Sequence, residues 1–348
     1  MSAQCILFVG GGSIGHVAPG IAVARALQQL RPGVHAHFIV SARAEDVPFV
    51  EQAGFAATAI NAPRLSWRFP FAFMHAVRAA RRIIQEHRPA VIVSKGGYVS
   101  LPVCFAARRM RIPIILHESD AVSGWANWIV GRWAVTICTG FADSINNSKA
   151  VCTGIPVRGD MTAGSRQKGL GITGLSRTRP VLLVVGGSQG ALALNQAVAH
   201  HLQDLLDCCE IIHLTGRGKE TVVGDVPGYW QCPFATDEYP HLFAAADLAV
   251  SRAGATTLME LAAVGLPAIL VPLEGVAHNH QRRNAEVAVA SGGCILLEQK
   301  RLAHALVPTV RHLIEAQDSR HIMSSAIRTL HHPEAARQIA EVIARQLA

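Results

Sequence analysis

Two short glycine-rich stretches carry the residue types best suited to chemistry. Gly10-Gly11-Gly12-Ser13-Ile14-Gly15 runs straight into His16, and Gly186-Gly187-Ser188-Gln189-Gly190 repeats the pattern later in the chain. A glycine loop that opens into a helix presents backbone N–H groups to phosphate oxygens. The first stretch formally matches the dinucleotide fingerprint, which expects an acidic residue about 20 positions further on. Here that region reads Val40-Ser41-Ala42-Arg43, so only Arg43, suited to a 2′-phosphate, speaks for a nicotinamide cofactor. His16 is one of 17 histidines, and its position alone reads better as a loop cap than as a base. A neutral imidazole can nevertheless take a proton near neutral pH. A third stretch runs Ser251-Arg252-Ala253-Gly254-Ala255-Thr256-Thr257 through Glu260 to Gly265-Leu266-Pro267. Glu260 could accept both ribose hydroxyls of a nucleotide, or it could complement a helix dipole as a first-turn acid. No Asp-x-Asp occurs among the ten aspartates, so the usual carboxylate pair for a catalytic metal is missing and no metal is expected. Charge on a leaving diphosphate would then fall to backbone N–H groups, helix dipoles and a cation.

These residues need rigid elements to hold them. Ile6-Leu7-Phe8-Val9 precedes the first loop and Val181-Leu182-Leu183-Val184-Val185 the second, each a continuous apolar run of the kind buried in a parallel sheet. Helical periodicity follows both loops, through Ile21, Ala24 and Leu27 and through Leu194 and Val198. Further buried strands are expected over 36–40, 90–93, 114–117, 211–214, 248–250 and 268–271. The spacing predicts a helix starting near Thr256 and closed by Gly265 and Pro267. The fold class is α/β, two doubly wound parallel-sheet domains in tandem. Residues 159–180 are rich in Gly, Ser, Thr and Arg and read as the linker and first elements of the second domain. Past Pro333, a plausible first helical residue, Ala336, Ile339, Val342, Ile343 and Leu347 trace a last amphipathic helix.

Composition narrows the class. Of 348 residues 50% are hydrophobic and 16% charged, against about 25% charged in an average soluble protein, which excludes a disordered chain. No run approaches the roughly 20 apolar residues of a membrane span, and Met1-Ser2-Ala3-Gln4 lacks the basic flank of a signal peptide. The eight cysteines form no Cys-x-x-Cys pair and are expected to be reduced, mostly core thiols. A net charge of +8 favours an anionic partner, whether nucleotide, diphosphate, acidic membrane or nucleic acid. With aromatic residues at 5% and no recognised binding motif, nucleic acid is discounted.

Taken together, the motifs resemble the MurG family, peripheral membrane transferases that convert lipid I to lipid II in peptidoglycan synthesis. The resemblance is carried by Gly-Gly-Ser-Gln-Gly-Ala at 186–191, Ser-Arg-Ala-Gly-Ala at 251–255, Glu260 and the following Gly-Leu-Pro. Gly-His-Val-Ala-Pro-Gly at 15–20, Gly-Gly-Tyr-Val-Ser at 96–100, Ile-Pro-Ile-Ile-Leu-His-Glu at 112–118, Asn127 and Gly-Ile-Pro-Val-Arg at 154–158 follow in order. It implies the GT-B fold, two Rossmann-like domains facing across a cleft. The expected divisions are 1–158 for the acceptor and membrane, 159–328 for the UDP-sugar, and 329–348 as a helix returning to the first domain. The implied activity is inverting, metal-independent and cofactor-free: N-acetylglucosamine passes from UDP-N-acetylglucosamine to the C4 hydroxyl of the muramyl sugar of lipid I. A paralogous transferase with another lipid-linked acceptor, or a non-catalytic UDP-sugar-binding protein, are the alternatives.

The resemblance also implies roles. His16 would be the general base. Ser188, Gln189 and Gly190 would hold the diphosphate, with Arg158 at the domain junction, Glu260 and Thr257 at the ribose and Gln281 at the sugar. Ser13, Gly15, Gly96, Gly97, Tyr98 and Asn127 would line the acceptor side. Trp67, Phe69, Phe71 and Phe73, followed by Arg78, Arg81 and Arg82, mix large apolar side chains with cations. A soluble helix could bury Phe71, Met74, Val77 and Ile84 as core, whereas the family lays this region on the anionic bilayer at the cytoplasmic face of the membrane. Four departures stand out. Ile14 replaces a usual glycine, where a β-branched residue would resist positive φ. Ser119-Asp120 replaces Gln-Asn and adds a negative charge, Asn279 replaces Asp, and Leu101 stands where Gly is common.

Overall fold

The computed structural model describes residues 4–62, 69–142, 144–176, 178–221, 224–273, 275 and 279–347. The chain divides into two compact units, Met1–Arg158 with His332–Ala348, and Gly159–His331.

The first unit contains β1 (Gln4–Val9), β2 (Val34–Ser41), β3 (Ala56–Ile60), β4 (Val91–Ser94), β5 (Ile114–Glu118), β6 (Thr136–Thr139) and β7 (Ala150–Cys152). Between them run α1 (Ile14–Leu30), α2 (Asp46–Gln52), α3 (Phe69–His87), α4 (Gly97–Arg109) and α5 (Trp125–Trp133). The strands form one parallel sheet in the order β3-β2-β1-β4-β5-β6-β7. Alternate residues of the central strands feed two cores. Leu7, Ile92, Ile114 and Leu116 meet Val77, Ile84 and Val103 of α3 and α4 on one face. Ile6, Phe8, Phe38 and Ile115 meet Leu27 of α1 on the other. Because both faces are covered, the strands read as unbroken apolar runs.

The second unit opens with α6 (Arg166–Thr173), followed by β8 (Val181–Val185), α7 (Leu192–His200), α8 (Leu202–Leu206), β9 (Glu210–Leu214) and β10 (Tyr229–Cys232). It continues through α9 (Tyr239–Ala245), β11 (Leu248–Ser251), α10 (Ala255–Val264), β12 (Ala268–Leu270) and α11 (His280–Ala290). It closes with β13 (Cys294–Leu296), α12 (Leu302–Glu315) and α13 (Gln317–Arg328). Its strands are also parallel, in the order β10-β9-β8-β11-β12-β13. Strand order reverses beside β1 in one unit and beside β8 in the other, the points where open parallel sheets bind ligands.

The last helix, α14 (Ala335–Arg345), belongs to the first unit and buries Ile339 and Ile343 in the same core as Leu27. It starts after Glu334, so Pro333 precedes the helix instead of opening it. Arg337 bonds Glu334 and Glu341 along its exposed side. Within 159–180 the chain forms α6, a helix that apolar periodicity does not announce. Ser165 Oγ caps it by accepting from Lys168 N, Gly174 ends it in the left-handed region, and Gly169 lets it press against the carbonyl of His241. Four of the eight cysteines are buried and Cys152 is exposed, so half of them, not most, are core thiols. Among the described residues no helix is long and apolar enough to cross a membrane.

Candidate functional site

In the first unit the chain leaves β1 at Val9 and turns through Gly10 to Gly12 into α1. The left-handed position is Gly12, at φ 91°; Ser13 is extended (φ −163°, ψ 153°) and Ile14 begins the helix. The strain anticipated at Ile14 therefore does not arise. A Cβ on Gly12 would lie 2.6 Å from Cε1 of Tyr98, so the tyrosine ring closes over the turn. Gly12 N donates to Asp46 Oδ2 (3.0 Å) and Ser41 Oγ (3.2 Å), and Arg43 donates to the Gly12 carbonyl at 2.6 Å. Arg43, the one hint of a 2′-phosphate site, is thus engaged with the loop, and the nicotinamide reading loses its support. Buried Asp46, which also accepts from Ser41 Oγ at 2.5 Å, is the anchor that sequence reasoning missed. Its signal was an acid at the start of α2.

His16 sits in the first turn of α1. Its Nδ1 is 2.8 Å from Ser13 Oγ, and its Nε2 lies beside Gly97, 3.9 Å from where a Cβ there would be. Ser13 thus orients the imidazole, a task distinct from the acceptor contact expected of it. Gly15 precedes His16 in the same turn. Gly96 and Gly97 lead into α4, and the Asn127 side chain presses on Gly96, its Oδ1 2.3 Å from where a Cβ would be. Asn127 Nδ2 donates to Glu118 Oε2 at 2.8 Å, while its buried Oδ1 has no hydrogen-bond partner among the described residues. Glu118 Oε1 accepts from Asp120 N at 3.0 Å. Burial, with the nearby Asp120 charge, raises the Glu118 pKa above the ordinary carboxylate value. This unit therefore gathers Ser13, Gly15, His16, Gly96, Gly97, Tyr98 and Asn127 around one loop.

In the second unit the loop after β8 places Ser188 and Gln189 exposed at its tip. Gly190, at φ 65°, touches the loop that follows β9: a Cβ there would lie 2.1 Å from the Thr215 carbonyl. Lys219 Nζ donates to the Gly190 carbonyl at 3.2 Å. A buried polar chain supports both loops. Asn195 Nδ2 donates to the carbonyls of Thr215 and Lys219, its Oδ1 faces His213 Nε2 at 3.1 Å, and His213 Nδ1 meets Tyr229 Oη at 2.9 Å. Burial lowers the His213 pKa to about 4, so it stays neutral at pH 7. Asn195, His213 and Lys219 had no legible motif. Helix α7 begins after Ala191 with no side-chain cap, a kind of helix start that offers N–H groups to an anion. Gly190→Ala is expected to cost about 1–3 kcal/mol of stability, because the left-handed backbone and the carbonyl contact both oppose a side chain. Thermal denaturation of the two proteins is the check.

Helix α10 begins at Ala255, next to the β8 loop because β11 pairs with β8. Glu260 is in its second turn and buried, and the first turn holds no acid, so the helix-dipole reading of Glu260 fails. Tyr239 Oη donates to Glu260 Oε2 at 2.9 Å. Thr257 lies half-buried one turn earlier. Arg252 is buried under the loop, donating to the Val271 carbonyl and to Gln299, and Asn284 Nδ2 holds the Ala253 carbonyl. Asn279 takes the left-handed region at φ 56°, which Asn tolerates, and caps the Gly275 N–H. Gln281 follows at the start of α11, where its Oε1 accepts from Leu273 N at 2.9 Å and so fixes a loop. Arg158 is the last residue of the first unit before the chain passes on.

On α3 the core reading holds for Val77 and Ile84 and not for Phe71 and Met74. Trp67 lies outside the described residues, and α3 starts at Phe69. Phe71 is 85% exposed and Met74 is also exposed, whereas Val77 and Ile84 are core. Phe73 turns inward, edge-on to Phe105 with ring centroids 5.8 Å apart, so it does not belong to an outward apolar face as expected. Arg78, Arg81 and Arg82 are exposed. On α5, Trp125 and Trp128 are exposed and the Arg132 guanidinium lies 3.3 Å over the Trp128 ring.

Comparison with known proteins divides along the same two units. The sequence profile of the glycosyltransferase family 28 N-terminal domain matches residues 6–139, and that of the family 28 C-terminal domain matches residues 181–339. A UDP-N-acetylglucosamine–N-acetylmuramyl-(pentapeptide) pyrophosphoryl-undecaprenol N-acetylglucosamine transferase of Lachnoclostridium phytofermentans is 36% identical over 327 residues, covering 90% of this chain and 92% of its own. The relative of the same name from Clostridium novyi is 36% identical over 315 residues, covering 87% and 88%. In structure the chain is similar to Acinetobacter baumannii MurG, with TM-score 0.72 and 24% identity over 98% of this chain and 99% of that one.

Proposed function

From the premise that the chain belongs to glycosyltransferase family 28, we infer that it transfers N-acetylglucosamine from UDP-N-acetylglucosamine to undecaprenyl-pyrophosphoryl-linked muramyl-pentapeptide. The observation that carries this reading is the 36% identity across 90% of the chain to a transferase of that specificity. The half-sites support it in chemical terms. In the second unit, Ser188, Gln189 and Gly190 with the uncapped start of α7 receive the diphosphate, where N–H groups stabilise charge leaving with UDP. Glu260, steadied by Tyr239, accepts the ribose hydroxyls, with Thr257 and Gln281 as neighbouring donor contacts. Arg158 supplies a cation for the diphosphate.

In the first unit, Nε2 of His16 takes the proton from the muramyl C4 hydroxyl as that oxygen attacks the anomeric carbon. Attack opposite the departing UDP inverts the donor configuration and yields a β-1,4 link. Ser13 holds the ring, and Gly96, Gly97, Tyr98 and Asn127 shape the acceptor side. Purified protein supplied with UDP-N-acetylglucosamine and the lipid-linked acceptor, in the presence of EDTA, is expected to form a β-linked disaccharide lipid, read by the anomeric coupling in NMR. An α-linked product, or a requirement for added metal, contradicts the inverting, metal-independent chemistry.

The acceptor lies in a bilayer, and the protein meets it as a peripheral protein at the cytoplasmic face. Phe71 and Met74 with Arg78, Arg81 and Arg82 form an apolar and cationic face on α3, and α5 exposes a similar mixture in Trp125, Trp128 and Arg132. Phe71→Ser with Arg78→Ser is expected to weaken binding to vesicles of phosphatidylglycerol. Each cation near an anionic surface contributes about 1 kcal/mol, so the single charge loss alone gives roughly 5-fold. Vesicle sedimentation at rising salt checks this, and binding indifferent to both changes contradicts the assignment.

A further inference from the structure

Lys95 is a buried cation next to the acceptor loop to which nothing above gives a task. It follows β4, its backbone N donates to the Val9 carbonyl at 2.8 Å, and its side chain is only 5% exposed. Its Nζ bonds both His117 Nδ1 and Ser119 Oγ. His117 Nε2 lies 3.0 Å from the Gly154 carbonyl, so that nitrogen carries the proton and Nδ1 offers Lys95 a lone pair. On the other side, Gly10 is wedged between Lys95 and His16. A Cβ on Gly10 would stand 3.1 Å from Lys95 Cβ and 2.6 Å from the His16 carbonyl. Lys95 thus spans two parts of the acceptor side: its backbone and Cβ lie against the loop that carries His16, and its ammonium holds the turn at Glu118, Ser119 and Asp120 that Asn127 braces.

We propose that Lys95 is a positioning residue for the acceptor, its ammonium holding the 118–120 turn in register with the His16 loop. The inference rests on the transferase reading above and deepens it. It also accounts for Ser119, because a hydroxyl in that place is short enough to reach a buried ammonium, and for Asp120, whose charge faces the same cation. The charged and titratable groups around Nζ are His117 and Glu118 on β5, Asp120 after it and Cys138 on β6. Burial, opposed by Glu118, Asp120 and Cys138, pulls the Lys95 pKa down to about 7. A lysine so shifted is charged below that pH and neutral above it, so the tie weakens as pH rises through neutrality.

The test is steady-state kinetics of full-length wild type, Lys95→Met and Ser119→Ala, varying the lipid-linked acceptor and UDP-N-acetylglucosamine separately from pH 6 to 9. Lys95→Met is expected to lower kcat/KM for the acceptor by about 10²-fold, the scale of a 1 Å misplacement, with the donor KM unchanged. Wild-type acceptor kcat/KM is expected to fall above neutral pH, and that fall should vanish in the variant. Ser119→Ala should lower acceptor kcat/KM less and keep the alkaline fall, since the cation remains. If wild type transfers sugar but both variants keep its acceptor kcat/KM and pH profile, Lys95 has no positioning role. If Lys95→Met does not fold, Ser119→Ala alone decides between these outcomes. Loss of acceptor and donor parameters together in the folded variants also overturns the inference, whereas absence of transfer by wild type overturns the transferase reading itself.

Discussion

Replacing His16 by Ala is expected to lower kcat for sugar transfer by about 10²- to 10⁴-fold, the usual contribution of a positioned acid or base. UDP affinity should stay unchanged, because none of the nucleotide contacts assigned above is made by His16 or its loop. Two observations make the effect specific to chemistry. Nδ1 is held by Ser13 Oγ at 2.8 Å, which leaves Nε2 as the nitrogen beside Gly97. The ring is mounted on the first turn of a helix whose entry is clamped by Asp46, Ser41 and Arg43, so removing the imidazole leaves the loop in place. Ser13→Ala should lower kcat less and keep a pH-dependent base. Single-turnover transfer with saturating donor, beside calorimetric UDP binding, separates the two steps. Unchanged turnover in His16→Ala removes the base assignment.

Replacing Glu260 by Ala should raise the donor KM strongly. A hydrogen bond to a charged group contributes about 1.5–3 kcal/mol, so loss of even one ribose contact weakens binding by roughly 10- to 150-fold at 1.4 kcal/mol per decade. The carboxylate is buried in the second turn of α10 and steadied by Tyr239 Oη at 2.9 Å, an arrangement that fixes its direction. Wild type should therefore prefer UDP to 2′-deoxy-UDP, and Glu260→Ala should bind the two alike. Tyr239→Phe should give a smaller loss with the preference retained. Calorimetry with both nucleotides is the check, and equal binding of the two by wild type contradicts the ribose role.

Much of this was legible in the residues because parallel strands covered on both faces must be apolar throughout. Ile6 to Val9 and Val181 to Val185 declare themselves in that way, and each is followed by its glycine loop. The strands that escaped notice are short or sit toward a sheet edge, such as β7 with its exposed Cys152 and β10 with Gln231 among aromatic neighbours. Helix α6 escaped because its burial depends on Gly169 and Leu170 against α9 and not on an apolar stripe. In the candidate site, motif residues were readable, but the groups that hold them were not. Asp46, Lys95 and His213 reach Gly12, His117, Ser119 and Asn195, partners 18 or more residues away that only the sheet brings close. Phe73 shows the converse: its apolar neighbours suggested an outward face, and only helix phase against α4 turns it inward toward Phe105.

The transferase reading is tested most directly by following both products in one reaction of purified full-length protein with UDP-N-acetylglucosamine and the undecaprenyl-pyrophosphoryl muramyl-pentapeptide. UDP release is read by a coupled assay and the disaccharide lipid by mass spectrometry. One disaccharide lipid per UDP released, dependent on the lipid acceptor, is the expected result. UDP released without disaccharide lipid, or intact UDP binding with no turnover, would contradict it.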